Sequence, residues 1–198
     1  MAVLAPPKFR ELVFATFTFC GLQGVFGAFF VAYLVEIMGM SLAEAGAIFA
    51  IAQAASIVFR ITWGWFAGLW GTRPVLATLG ISMAFIAILC GFISGDWPHW
   101  IITGLAVAYS ATAISWHGVV LAEVSRLSKI GQTATNTGGL LSFANAGQTT
   151  YPALFSVLLA AGGGFSLGFI LAGPPALLAG VALLRRGFKP NKNAKNKL

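Results

Sequence analysis

Long apolar stretches alternate with short polar or turn-rich segments along the whole chain. Each stretch has roughly the 20 residues that a helix needs to cross the ~30 Å hydrocarbon core of a bilayer. Charged and turn-forming residues interrupt the pattern five times, which predicts an all-α integral membrane protein with six transmembrane helices. The predicted spans are about 12–37, 42–70, 75–94, 99–124, 133–161 and 165–184.

Residues at the ends of these spans carry the signals expected of helix boundaries. Ser41 followed by Glu44 has the spacing of a capping box, which predicts that the second helix begins there. Pro74 suits the first turn of the third helix, because a proline there gives up an N–H that has no partner within the helix. Pro152 lies inside the fifth span and predicts a bend.

Composition narrows the class of protein. Apolar residues make up 58% of the 198 positions and charged residues only 9%, and the mean hydropathy is +0.87. Such a chain cannot form the polar shell that a soluble domain needs. Cys20 and Cys90 are isolated within apolar runs, and the sequence has no CxxC, HExxH or P-loop pattern. We therefore expect no cofactor, no metal and no enzymatic activity.

The net charge of +7 reflects topology rather than binding to nucleic acid. The predicted outer loops, near 38–44, 95–99 and 162–164, contain no lysine or arginine. Because cytoplasmic loops concentrate basic residues, we expect a multi-pass protein of a bacterial inner (plasma) membrane with residues 1–11 and a disordered basic tail, 185–198, in the cytoplasm. The eleven basic residues assigned to the inner side are Lys8, Arg10, Arg73, Arg126, Lys129, Arg185, Arg186, Lys189, Lys192, Lys195 and Lys197.

Arg60 is the twelfth basic residue and does not lie at a segment end. It is about ten residues from the inner end of the second span, or ~15 Å at the rise of an α-helix, which places it near the bilayer midplane. A charge at that depth costs at least ~2.5 kcal/mol on insertion scales and marks a functional candidate. Arg60 either binds an anionic substrate, or bonds backbone carbonyls or an acid outside this chain.

Two of the predicted helices have polar or small residues on one face. Such faces either pack helices closely together or line a water-filled substrate path. On the first helix the face comprises Thr16, Cys20, Gln23, Gly24 and Gly27. On the fifth helix it comprises Thr135, Gly138, Ser142, Asn145, Thr149 and Pro152.

Several polar side chains within the spans are candidate functional residues. Gln23, Asn145, Gln148 and Trp116 join Arg60 as candidate substrate contacts. His117 is a possible proton relay, because histidine titrates near neutral pH, or else a neutral histidine that is hydrogen-bonded within the fold.

The turn between the second and third helices carries a resemblance to a known family. The stretch from Gly64 to Arg73 resembles the signature loop of the major facilitator superfamily, G-x-x-x-D-[RK]-x-G-[RK]-[RK], with Gly64, Gly71 and Arg73 matching and Gly68 in place of the acid. Glu123 and Arg126 resemble the E-x-x-R pattern at the cytoplasmic end of that family's tenth helix.

The resemblance implies the C-terminal six-helix half of such a transporter, built from two inverted three-helix repeats. It also implies that the first and fourth helices line the central cavity, and that Glu123 and Arg73 form an inner gate with Gly64, Gly71 and Arg126. Arg60 is similar in position to the substrate-binding arginine of the monocarboxylate and oxalate–formate branches, which favours a small organic anion as the substrate.

Three functional interpretations remain open at this point. The first is a secondary active transporter that works by alternating access within the lipid bilayer, with a second six-helix half or a homodimer partner completing it. The second is a membrane channel or assembly subunit, or a truncated non-functional transporter fragment. The third is an intramembrane enzyme, which the lack of a paired nucleophile and base or of a metal cluster disfavours.

Overall fold

A computed structural model describes residues 7–187 of the protein. Over this range the chain forms seven α-helices joined by short turns. In chain order they are α1 (Pro7–Met38), α2 (Leu42–Trp70), α3 (Thr72–Cys90), α4 (His99–Ala113), α5 (His117–Leu127), α6 (Thr133–Ala160) and α7 (Gly164–Gly187). The remainder of the predicted basic tail, 188–198, lies outside the described residues.

The helix bounds follow the predicted spans closely at most ends. The capping box that begins α2 is formed, with Ser41 and Glu44 bonding each other's backbone N–H groups. The C-terminal end of α3 differs from the predicted end at 94. The helix stops at Cys90, because the N–H groups of Phe92 and Ile93 bond carbonyls three residues back rather than four, and a short loop follows.

The predicted fourth helix, 99–124, is interrupted in the structure. α4 ends at Ala113 and α5 begins at His117, with a turn over 114–116 between them. No proline or glycine occupies the turn itself, so the usual sequence signals of a helix break are absent there. The reason for the break is found in contacts with α2, described below.

Five segments of the described range are long and apolar enough to cross a membrane: α1, α2, α3, α4 together with α5, and α7. The sixth predicted span corresponds to α6, which has 28 residues and is therefore long enough. α6 is more polar than the others and does not meet the apolarity expected of a membrane span. The structure is thus an all-helical bundle with five clear candidate spans, and the count of six is not confirmed.

The helix–helix interfaces show an internal symmetry between the first three helices and the last four. α3 packs most extensively with α7, α1 with α6, and α2 with α4. Smaller interfaces join α1 to α7 and α3 to α4. Exchanging α1, α2 and α3 for α4, α6 and α7 converts the α1–α6 interface into α2–α4 and the α1–α7 interface into α3–α4, and leaves the α3–α7 interface unchanged.

Small residues allow the closest helix pairs to approach. Gly147 of α6 lies against the backbone of Phe17 on α1, so closely that a β-carbon would overlap the Phe17 carbonyl. Gly24 makes the reciprocal contact, with a β-carbon position 2.7 Å from the carbonyl oxygen of Gln148. Because lipid provides no hydrophobic force between helices, such close packing is a principal source of their association.

Buried tyrosines connect α1 to its neighbours. The hydroxyl of Tyr109 on α4 donates to the carbonyl of Leu22 at 3.0 Å, and its ring stacks on Phe26 with centroids 4.4 Å apart. The Tyr33 hydroxyl donates to the carbonyl of Cys90 at 2.9 Å, which satisfies one carbonyl at the end of α3. α1 is therefore held along its length by α3, α4 and α6.

Replacing Gly147 with alanine should destabilise the bundle, because the added methyl group forces α1 and α6 apart. We expect the free energy of unfolding to fall by about 1–3 kcal/mol, as for other overpacked sites. Gly138→Ala on the same helix is the matched control, because its β-carbon would meet no atom within 4 Å. Thermal unfolding in detergent, followed by circular dichroism, measures both variants, and equal midpoints would contradict the close-packing account.

Candidate functional site

Carbonyl groups freed by the break between α4 and α5 accept hydrogen bonds from side chains. The indole N–H of Trp63, on α2, donates to the carbonyl of Ala111 at 2.7 Å. The indole N–H of Trp116 donates to the carbonyl of Ala113 at 3.0 Å. Non-helical backbone within a membrane is tolerated where the protein supplies such partners. Here α2 supplies one of these donors, the indole of Trp63.

Arg60 reaches the same break. Its Nη2 donates to the carbonyl oxygen of Ile114 at 3.4 Å, and its side chain is otherwise exposed on α2. Within the described part of the chain, no acidic side chain forms an ion pair with Arg60. The structure therefore shows the contact with a backbone carbonyl that the sequence raised as one of two interpretations, and leaves the guanidinium with further donors.

His117 shares the acceptor of Arg60. Its Nδ1 lies 3.1 Å from the Ile114 carbonyl, and since a carbonyl can only accept, Nδ1 carries the proton in this contact. The ring stacks on Trp116 with centroids 3.9 Å apart. Trp116 itself is completely buried, so the structure places this candidate substrate contact behind His117 rather than on an open surface.

An open cleft lies between α1, α2, α6 and the break in the fourth span. Its volume is about 460 Å³, within the range of small-molecule sites. Most of its lining residues are near the midpoints of their helices, which corresponds to the middle of the bundle. The lining residues are Gln23, Gly24, Gly27, Ala28, Gln53, Ile114, Gln148 and Pro152.

Three glutamine side chains converge on this cleft from three helices. Gln23 and Gln148 were candidates from the sequence, whereas Gln53 on α2 was not. A signal for Gln53 was available, because it precedes Arg60 by seven residues, or about two helical turns, and so shares a helix face with it. Gln53 lines the cleft together with Ile114, and Arg60 bonds the carbonyl of Ile114.

The polar face of α6 is largely exposed. Asn145 and Thr149 lie on this face outside the cleft lining. The hydroxyl of Thr149 donates to the carbonyl of Asn145 at 3.0 Å, so that part of the face is satisfied locally. On α1, by contrast, Thr16 is buried and bonds its own helix backbone. The α1 face thus contributes to both helix packing and the cleft.

A buried acid connects the ends of three helices. Glu123 of α5 has no exposed surface, and its carboxylate accepts from Nε of Arg73 at 2.8 Å. Arg126 adds a bidentate contact at 2.8 and 2.9 Å, and the Thr72 hydroxyl donates to the same carboxylate. Arg73 also lies 3.6 Å from Glu11 of α1, a partner that the sequence did not suggest.

Two glycines of the signature loop have different surroundings. Gly71 joins α2 to α3 with φ of +88°, a conformation that side chains rarely adopt, and thereby positions Thr72 and Arg73 beside Glu123. Gly64 is exposed on α2, and a β-carbon there would meet nothing within 4 Å. The turn therefore depends on Gly71, while nothing in the described residues requires glycine at 64.

A second cavity, of about 340 Å³, lies between α1, α6 and α7. Its lining is almost entirely apolar and includes Val25, Leu154, Phe155 and Leu171. It has none of the convergent polar groups expected of a site that recognises a polar ligand.

Comparison with known proteins identifies the class to which this helical bundle belongs. The family model described as Major Facilitator Superfamily matches residues 12–198. The chain belongs to the major facilitator superfamily, whose members are membrane transporters and not, in general, enzymes. No curated protein and no solved structure matches the chain. The resemblance drawn from the sequence is therefore confirmed at the level of the family.

Replacing Glu123 with glutamine should destabilise this end of the bundle, because Arg73 is then buried without its principal counter-charge. We expect a loss of about 3 kcal/mol, the lower end for a broken buried pair, since Glu11 remains close to Arg73. Glu36→Gln, which removes an exposed acid on α1, should have little effect. Comparing the two thermal unfolding midpoints tests this, and a drop no larger than that of the Glu36 variant would refute it.

Proposed function

We propose that the chain is a secondary active transporter that works by alternating access, carries a small organic anion, and binds it in the cleft beside Arg60. The observation that carries the proposal is the position of Arg60. Its guanidinium bonds the carbonyl of Ile114, which lines a polar cleft in the middle of the bundle. Gln23 and Gln148 line the same cleft and can orient a ligand.

Electrostatics favour an anion. Arg60 keeps donors beyond the one that bonds Ile114, and guanidinium pairs well with carboxylates. The chain has five acids, and all lie near the ends of the predicted spans. A bound anion would therefore supply the counter-charge that the described residues do not provide at this depth.

A second six-helix half, or a second copy of the chain, would complete the transporter. The cleft opens on a face that includes the exposed polar side chains of α6, among them Asn145 and Thr149. Polar groups facing hydrocarbon are costly, so we infer that this face meets a partner across a water-filled path. When the partner covers this polar face, α6 can serve as the sixth membrane span.

The cluster around Glu123 has the properties of an inner gate. It joins α5 to the turn before α3 and, through Arg73, to Glu11 on α1. The break at 114–116 would allow α5 to move relative to α4 when these contacts open. The exchange pattern of the helix interfaces supports two inverted three-helix repeats, the arrangement on which alternating access depends in such transporters.

Uptake into proteoliposomes tests the role of Arg60. With a panel of small radiolabelled carboxylates, Arg60→Ala should reduce saturable uptake at least about tenfold through loss of the charge. Arg60→Lys should retain part of it, because lysine keeps the charge but not the planar fork. Lys129→Ala, in the exposed inner loop, is the control. Unchanged uptake in both Arg60 variants would overturn the proposed site, and uptake that never saturates would favour a channel.

Labelling of single cysteines tests the orientation expected from the basic residues, in which both ends of the chain are cytoplasmic. Cys20 and Cys90 are buried and can be replaced by alanine to give a background without thiols. In intact cells, a membrane-impermeant maleimide should label Asp96→Cys from outside, and should label Lys129→Cys only after permeabilisation, as the distribution of basic residues requires. The reverse pattern would contradict the orientation.

A further inference from the structure

Glutamine has an unusual distribution in this protein. The chain contains four glutamines, and three of them, Gln23, Gln53 and Gln148, line the central cleft. They come from α1, α2 and α6, so their convergence arises from the fold and not from one sequence segment. Carboxamides placed at the depth of the membrane interior require hydrogen-bond partners.

The hydrogen bonds of these carboxamides are incomplete. Oε1 of Gln23 is buried and has no hydrogen-bond partner among the described residues. Oε1 of Gln148 accepts only a weak bond from the thiol of Cys20, at a sulfur–oxygen distance of 3.6 Å. Each carboxamide offers two N–H donors and one acceptor oxygen, and such groups suit a ligand that both donates and accepts hydrogen bonds.

Hydroxyl groups have this combination of donor and acceptor, and Arg60 stands at the edge of the same cleft through its bond to Ile114. We propose that the substrate is a small hydroxylated carboxylate, of the hydroxy-acid or sugar-acid class. Its carboxylate binds Arg60, and its hydroxyls bind Gln23, Gln53 and Gln148. This inference rests on the proposed transport function and names the substrate class of that site.

The two simpler classes of ligand fit less well. An alkyl carboxylate would pair with Arg60 but leave the carboxamides desolvated and unpaired, and sites built to bond a hydroxyl reject analogues that lack it. A neutral sugar would satisfy the carboxamides but leave Arg60 without a counter-charge. The cleft, at about 460 Å³, is large enough for a six-carbon acid.

Equilibrium binding to the full chain in nanodiscs tests the substrate class with three six-carbon probes. Gluconate carries both a carboxylate and hydroxyls, hexanoate has the carboxylate alone, and glucose has the hydroxyls alone. We expect gluconate to bind at least about tenfold more tightly than either of the other two, since only gluconate satisfies both parts of the cleft.

Variants test which residues recognise the hydroxyls and which recognises the carboxylate. Gln53→Leu should weaken gluconate binding about tenfold or more and leave hexanoate within about twofold, because it removes only a hydroxyl partner. Gln132→Leu is the matched control, since Gln132 is the one glutamine outside the cleft lining and is exposed at the inner end of α6. Arg60→Ala should weaken both anions and leave glucose unchanged.

The outcomes separate this inference from the function on which it rests. Equal affinity for gluconate and hexanoate, with both lost in Arg60→Ala, would overturn the hydroxy-acid class while leaving an organic-anion site intact. Binding of glucose as tight as that of gluconate, insensitive to Arg60→Ala, would overturn the anion site itself and the inference with it. If Gln132→Leu reduced the preference for gluconate over hexanoate as much as Gln53→Leu does, the assignment of hydroxyl recognition to the cleft would also be overturned.

Discussion

Hydrocarbon offers no hydrogen bonds, and this constraint organises the whole bundle. Every carbonyl, amide and charge at membrane depth must find a partner in the protein or in a water-filled cavity. Most polar side chains here meet the requirement within the chain, as Tyr109 does at the carbonyl of Leu22 and Thr16 does on its own helix. Oε1 of Gln23 is buried without a hydrogen-bond partner among the described residues, and Gln23 lines the cleft with two further glutamines, which makes that cleft the natural place for a polar ligand.

The break between α4 and α5 is stabilised by residues of α2, and one of these residues belongs to the proposed site. The turn over 114–116 exposes carbonyls that α2 satisfies through Trp63 and Arg60. The bond from Arg60 joins its guanidinium to Ile114, a residue of the cleft lining, so the residue that stabilises the break is also the one proposed to bind the anion. Because the cluster at Glu123 holds the far end of α5, movement about the break would couple the cleft to the proposed gate.

The periodic apolar pattern was sufficient to predict most helices, because the spacing of turn residues and charges marks their ends directly. The break at 114–116 could not be predicted in this way, since its carbonyls are satisfied by Trp63 and Arg60 from another helix. The sequence singled out Arg60 by its depth and Glu123 by its motif. Gln53 was missed although it shares a helix face with Arg60, and Glu11 was missed because its contact with Arg73 depends on how α1 packs against α3.

The central claim is that the cleft is a water-filled path at membrane depth, and the reactivity of single cysteines measures this directly. In a background without Cys20 and Cys90, a charged methanethiosulfonate reagent reacts with thiols only where water allows ionisation. Ala28→Cys, in the cleft lining, should react rapidly and be protected by a bound carboxylate. Leu178→Cys, exposed on α7 away from the cleft, should remain unreactive. Equally slow modification at both positions would contradict the account.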